Sequence, residues 1–357
     1  LTRSVSPAMW SLFPSLMDNL INGDVTIYLD DCIAALKNYL IYGNNELRLN
    51  IQYQQLYINL INSIFNPYLY DQEDSEIGTN DIILAAEIAQ NLILALDRET
   101  ASPYIPNLCE STMSLLSTDD PAHSHTNRFQ IHLVNIIIAS LIIDTNTTLN
   151  ILINKNAFQN FLALWFKLLP NMKRIFDLKL SVLGFLNLIY LNLSDLKELK
   201  IETIIPEFGT KLVLLLTTLP QAMKEMENRR INYDPEKHFA GNIIGAGGEE
   251  GDWEDEDEDT IESSANAAAD DYLKFLEEQK EIIDNGGNAF GFQDDEDDFD
   301  EDPYSNTVLD NINVFKAFKD CFITAQSSDA NKYSLLISKL TPSDQEILQS
   351  ICNESAE

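Results

Sequence analysis

Ser6-Pro7-Ala8-Met9-Trp10-Ser11-Leu12-Phe13-Pro14-Ser15-Leu16-Met17-Asp18-Asn19-Leu20 reads as an amphipathic helix from its first residues. Ser6 is an N-cap type, and Pro7 falls at the first helical position, where a missing N–H costs nothing. Met9, Leu12, Phe13, Leu16, Met17 and Leu20 then recur at helical spacing. Asn22-Gly23-Asp24 closes this segment and opens another over 25–42, before Gly43-Asn44-Asn45 interrupts again. The same rhythm predicts helices over 46–65, stopped by Asn66-Pro67, then over 81–97, and over 103–116 with Pro103 at the start. Further helices are expected over 127–143, 149–154 and 157–169, the last ended by Pro170. Asp177 and Lys179 lead the next helix through Tyr190, and a long one runs from 202 to 230 with Pro206 in its first turn. After Pro303 helices are expected over 308–325, 331–340 and 343–352, with Ser343 and Glu346 fitting a capping box.

Alternating runs joined by hairpin turns are almost absent, so strands are not expected. The helices come in pairs with short turns inside each pair. The pairs recur at roughly 40–50 residues, the range of HEAT-type repeats. An irregular helical bundle is the alternative. The expected fold is all-α: a HEAT-repeat solenoid with a long acidic, partly disordered insertion.

That insertion is a matter of charge. The 357 residues carry a formal net charge of −34, and residues 249–302 hold 24 Asp or Glu against two lysines, a local net charge of −22. Buried carboxylates without partners cost several kcal/mol each, so such a block stays solvated and repels anions. Asn232-Tyr233-Asp234-Pro235 ends the preceding helix, and the Gly-rich stretch 241–251 reads as a flexible entry. Within the block, Ala268, Tyr272, Phe275, Leu276, Gln279 and Ile283 share one helical face, so a short helix over 266–284 is expected. The organisation is therefore helix pairs over 1–230, the acidic insertion over 231–303, and helices over 304–357 that complete the solenoid.

Composition bounds the remaining options. The chain begins at Leu1, which reads as a piece of a longer protein, and nothing at the start resembles a secretory signal. Its apolar runs are too short and too interrupted to span a bilayer. Cys32, Cys109, Cys321 and Cys352 have no paired spacing, which argues for buried free thiols in a reducing compartment. The acidic balance argues against direct binding to nucleic acid or to anionic membranes.

No catalytic or metal-ligating constellation emerges, and neither enzyme activity nor a cofactor is expected. Mobile carboxylates in a run lack the fixed separation that acid–base catalysis needs. Asp255-Glu256-Asp257-Glu258-Asp259 lacks the turn glycine and spaced glutamate of a calcium loop. Gly245-Ala246-Gly247-Gly248 has no preceding strand and is followed by acids, so it reads as a hinge and not as a phosphate cradle. His123, His125 and His132 lack zinc-site spacing and read as surface histidines. Phe208 reads as core.

The candidate binding residues are the acids themselves. They are Glu249, Glu250, Asp252, Glu254, Asp255, Glu256, Asp257, Glu258 and Asp259 at the entry, with Trp253 among them. At the exit they are Asp294, Asp295, Glu296, Asp297, Asp298, Asp300, Glu301 and Asp302. Aromatic rings among carboxylates offer Lys and Arg both a charge and a π-face, and they could equally anchor the loop on the scaffold. Arg229 and Arg230, just before the insertion, suit a helix C-terminus and could also hold the loop, as could Tyr272 and Phe275.

The order of features resembles the C-terminal part of importin-β (karyopherin-β) nuclear transport receptors, closest to the importin-seven and importin-eight branch and its fungal relatives. The resemblance is carried by Ser6-Pro7-Ala8-Met9-Trp10, by Asp177-x-Lys179-x-x-Val182-Leu183-Gly184, by the acidic insertion with Gly251-Asp252-Trp253-Glu254-Asp255 and Tyr272-Leu273, and by Phe315-Lys316-Ala317-Phe318. It implies a right-handed HEAT superhelix that acts as a monomer and shuttles between cytoplasm and nucleus. It also implies basic cargo such as ribosomal proteins or histones, weak contacts with Phe-Gly nucleoporins, and release by Ran-GTP through N-terminal repeats absent from this chain. Read on its own chemistry, the block predicts capture of basic proteins by many weak contacts. A histone chaperone or acidic assembly factor without a transport role, and a HEAT scaffold subunit of an enzyme complex, are the alternatives.

Overall fold

The computed structural model describes residues 3–23, 25–70, 77–117, 126–191, 204–232 and 304–354. The chain divides into two compact units, one made of Leu1–Glu227 with Phe299–Glu357 and one of Asn228–Asp298. The second unit is described only at 228–232. Fifteen α-helices and no strand occur among the described residues. They are α1 (Pro7–Asn22), α2 (Val25–Tyr42), α3 (Asn44–Leu49), α4 (Ile51–Tyr70), α5 (Thr79–Ala95), α6 (Arg98–Ala101), α7 (Ile105–Ser117) and α8 (Asn127–Ile143). They continue with α9 (Thr145–Asn154), α10 (Phe158–Leu168), α11 (Ile175–Tyr190), α12 (Ile205–Ile231), α13 (Val314–Ser328), α14 (Ala330–Ile337) and α15 (Pro342–Glu354).

The first unit is an all-α, HEAT-like stack of two rows. One row runs α1, α4, α7, α9, α10; the other runs α2, α5, α8, α11, α13, each helix packed on the next. Successive pairs join the rows, α1 on α2, α4 on α5 and α7 on α8. Position in the stack explains the sequence pattern. Helices α5, α8 and α11 have neighbours on both sides and behind, so twelve residues of each are buried and each reads apolar almost all round. Helices α1, α7 and α10 keep one exposed face and a narrower buried stripe, such as Trp10, Phe13, Met17 and Leu20. Close approach between the rows depends on Gly184 of α11, where a Cβ would meet Ile138 Cγ2 at 2.6 Å and Trp165 Cη2 at 2.9 Å. Trp165 stacks on Phe185 with centroids 4.1 Å apart and donates its indole N–H to Ser181 Oγ at 3.1 Å.

Several expected boundaries move, each for a local reason. Ser6 accepts from the Met9 N–H as expected. The helix expected over 46–65 breaks at Asn50, whose side chain accepts the Gln52 N–H. Gln54 repairs the break by donating to the Leu47 and Arg48 carbonyls. Pro67 does not stop α4, which continues to Tyr70, because Phe65 and Tyr68 on either side of it are held in the core. Helix α7 starts at Ile105, after a turn that contains Pro103, and not at the proline itself. Helix α9 starts at Thr145, four residues early, because Asp144 caps it by accepting the Thr147 N–H. Residues 308–311 form a turn, so the helix expected from 308 begins at Val314, capped by Asn313. The box expected at Ser343 and Glu346 is formed instead by Thr341 and Asp344. Thr341 Oγ1 accepts the Asp344 N–H at 3.2 Å, and the Asp344 carboxylate accepts the Thr341 N–H at 3.0 Å. Phe208 is core, packed on Phe166 and Phe185. No described helix is long and apolar enough to cross a membrane.

Candidate functional site

Most of the expected binding residues lie outside the described residues. That holds for the acids and Trp253 of 249–259, the acids of 294–302, Tyr272 and Phe275 with the helix expected over 266–284, and the hinge at 245–248. His123 and His125 lie outside them as well. The structure does describe both flanks of the insertion. On the entry side, Arg229 and Arg230 sit exposed in the last turn of α12, where positive charge suits the negative end of the helix dipole.

On the exit side, residues 304–313 form a strap rather than a helix, and it is tied down at two places. Thr307 and Asp310 close a turn, with the Thr307 N–H and hydroxyl both donating to the Asp310 carboxylate. Leu309 is buried as its apolar plug. Lys179 of α11 points its ammonium at the turn and donates to the Leu309 carbonyl at 2.9 Å and the Asp310 carbonyl at 3.1 Å. Burial pushes the Lys179 ammonium below its ordinary pKa, and the Asp310 charge pulls it back up. At the other place, Lys37 of α2 donates to Ser305 Oγ at 3.3 Å.

Beside the strap, a charged seam joins four helices of one row. Glu87 of α5 is its hub. It accepts from Lys37 at 3.4 Å and from Arg174 at 2.7 Å. Arg174 also holds Asp177 of α11 through two N–H groups, at 2.9 and 2.7 Å. Asp177 accepts in turn from Asn135 of α8 at 2.7 Å. Burial alone would raise the Glu87 carboxyl, yet the charges of Lys37 and Arg174 bring it down to about 2. His132 of α8 corrects the expectation of a surface histidine. Its ring is buried, with Nδ1 3.9 Å from Glu87 Oε1 and 3.4 Å from Gln90 Nε2. Burial first, and Arg174 second, push it well below its usual range, so it is neutral. A second buried acid, Asp144, accepts from Arg98, Ser102 and Thr147 and so pins α6 to the start of α9.

Sequence reasoning missed Glu87, Lys37 and Arg174 altogether, and used Asp177 and Lys179 only as the start of a helix and as marks of resemblance. A legible signal was there: lone charges inside strongly apolar helical runs. All four cysteines are free, with Cys109 and Cys321 buried and Cys32 and Cys352 partly so. Among the described residues no group of His, Cys, Asp and Glu is placed to hold a metal ion. The seam pairs its charges with one another and with Asn135 across α2, α5, α8 and α11.

All-α, two-rowed and interrupted by an acidic block, the chain has relatives with suggestive names. It is 29% identical over 99% of its length to a yeast (Saccharomyces cerevisiae) protein named nonsense-mediated mRNA decay protein 5. It is 26% identical over 79% of its length to a probable importin-7 homologue of Dictyostelium discoideum. It spans 33% of the first and 24% of the second. No family model matches, and no solved structure matches. The second likeness supports a relationship to importin-like proteins and does not place the chain on a particular branch.

Proposed function

We propose that this chain is the cargo-holding part of a nuclear import receptor of the importin-seven and importin-eight kind, acting by binding and not by catalysis. The observation that carries the reading is the charge: a local net of −22 over 249–302, set between α12 and a strap fastened to the stack. Its cargo would be basic proteins such as ribosomal proteins or histones. Each exposed ion pair contributes about 0–1 kcal/mol, so affinity comes from many at once and falls as salt shortens the screening length below about 8 Å. Receptor, cargo and pore would meet in the shuttling cycle the likeness suggests, with Phe-Gly nucleoporins as pore contacts. Ran-GTP would release cargo through parts of the relatives that this chain does not span. The test compares the full chain with one lacking 249–302 for binding to a linker histone. The expected loss is about tenfold or more, larger at low salt; equal affinity at low salt overturns the reading.

A second reading follows from the yeast relative, whose name ties that protein to mRNA decay. With a net charge of −34 the chain is ill suited to grip RNA itself, so such a role would run through protein partners. Affinity capture of the full-length protein with and without Ran-GTP separates the two. Partners released by Ran-GTP support transport, whereas decay factors retained in its presence support the second. Basic partners held regardless of Ran-GTP would instead indicate an acidic chaperone.

A further inference from the structure

We propose that the cavity beside Trp10 is a socket for a single lysine or arginine side chain of a basic partner, a contact on the helical stack separate from the acidic insertion. The inference rests on the basic-partner reading above. The cavity measures about 520 Å³ and is lined by Trp10, Ser11, Tyr42, Asn45, Glu46 and Tyr53 together with small apolar residues. That is within the range of small-ligand sites and leaves room for an extended side chain with water about its head.

Its aromatic wall is rigid. Trp10 and Tyr53 stack with centroids 4.7 Å apart and planes 8° from parallel, and Tyr39 meets Trp10 edge-on at 4.9 Å. The Tyr39 hydroxyl donates to the Met9 carbonyl at 2.7 Å and so fixes the backbone next to Trp10. Gly43 is required beneath the indole, since a Cβ there would meet Trp10 Cζ2 at 2.5 Å. Tyr53 also walls a second, smaller cavity lined by Pro14, Gln52 and Leu56, so its ring stands as a partition between two openings.

The chemistry favours a cation. Trp10 is buried and stacked under Tyr53, so the half-buried rings of Tyr42 and Tyr53 are the ones left to meet a ligand, and a ring face attracts an ammonium or guanidinium within about 6 Å of its centroid. Among the described residues, the one ionisable carboxylate in the lining is Glu46, which is exposed, and no lysine or arginine lines the cavity. An anionic ligand would meet Glu46 and the field of a chain at −34. A wholly apolar ligand would leave Glu46, Asn45 and Ser11 to be desolvated without return. A lysine or arginine satisfies all of these: its stem lies on the rings and its head reaches the carboxylate.

The test titrates the full chain with a short Lys/Arg-rich peptide that lacks acidic and aromatic residues, read by calorimetry and by tryptophan emission. Glu46→Gln should weaken binding about threefold, and Glu46→Lys or Tyr53→Leu about fivefold or more. Glu225→Lys on α12 carries the same charge change as Glu46→Lys, away from the cavity, and should have less than half its effect. Circular dichroism checks that Tyr53→Leu remains folded. A chain lacking 249–302 should keep weak binding that Glu46→Lys removes. If Glu46→Lys does no more than Glu225→Lys, the socket is refuted, while a strong effect of the deletion would still uphold the insertion as a binder. If the deletion has no effect but Glu46→Lys does, the socket stands and the role given to the insertion falls.

Discussion

Replacing Glu87 with glutamine tests the seam, and the size of the effect follows from the carboxyl itself. Its pKa is about 2 in the fold against an ordinary 4.5. The folded state therefore binds this proton less readily than the unfolded chain, so Glu87 adds stability above the unfolded value and loses it as pH falls toward 2. The gap of about 2.5 units is worth about 3 kcal/mol at pH 7. With 19% of the side chain still exposed, this is an upper figure. Linkage leaves about 1 kcal/mol of it at pH 3, where the unfolded carboxyl is protonated and the folded one is largely not. Glu87→Gln should thus destabilise by up to about 3 kcal/mol at pH 7 and by up to about 1 kcal/mol at pH 3. Urea unfolding followed by circular dichroism at both pH values gives the two differences. A penalty of the same size at pH 3 and pH 7 would show that Glu87 acts by shape alone and would refute the electrostatic account of the seam.

Three further outcomes follow from packing and burial. Lys179→Met removes a charged donor from two carbonyls, which should cost about 1.5–3 kcal/mol and speed hydrogen exchange at the Asp310 and Ile312 amides, while helical content stays the same. Gly184→Ala would press a methyl into Ile138 and Trp165 and should destabilise by about 1–3 kcal/mol; a neutral result in thermal unfolding would mean that α10 can shift on α11 at little cost. Burial pushes the Cys109 thiol up to about 12 and Cys321 to about 11, so in the native protein a thiol reagent should modify Cys32 and Cys352 first. Early labelling of Cys109 would contradict the packing between α7 and α8.

What the sequence disclosed, and what it hid, divides along the range of the interactions. The spacing of Met9, Phe13, Met17 and Leu20 exposes a helix because each residue meets neighbours one turn away. Ser6 and Thr126 act as caps within three residues, so α1 and α8 start where local chemistry puts them. Asn50 and Pro67 defied that logic in opposite directions. Asn50 breaks a helix because Gln54 satisfies the freed carbonyls, which only the folded turn makes possible. Pro67 fails to break one because Phe65 and Tyr68 are held in the core on either side of it. His132 reads from the sequence as a surface histidine, yet its environment is set by Glu87 and Gln90 of another helix, the latter 42 residues away. Lys37 and Glu87 are 50 apart, and Lys179 and Leu309 are 130 apart. No local periodicity carries pairings at such separations, so the seam and the strap could be read only from the structure.

The same acidic side chain thus serves two opposite ends in one chain. Glu87, Asp144 and Asp177 are surrounded by donors, and their burial is tolerable because each is matched by Arg, Lys, Asn or a helix N-terminus. Helices as uniformly apolar as α5, α8 and α11 could slide past one another at little hydrophobic cost. A shift of the hub by one turn would bury Glu87 without Arg174, so the seam opposes slippage where Ile and Leu packing is least selective. The carboxylates of 249–302 have only two lysines among 24 acids within their own stretch. Their charge has to be met from outside that stretch. The strap stands where the two regimes join. At Asp310 the carboxylate is occupied with the Thr307 turn, and Lys179 reaches past it to the Leu309 and Asp310 carbonyls, so the strap is fastened to α11 through its backbone.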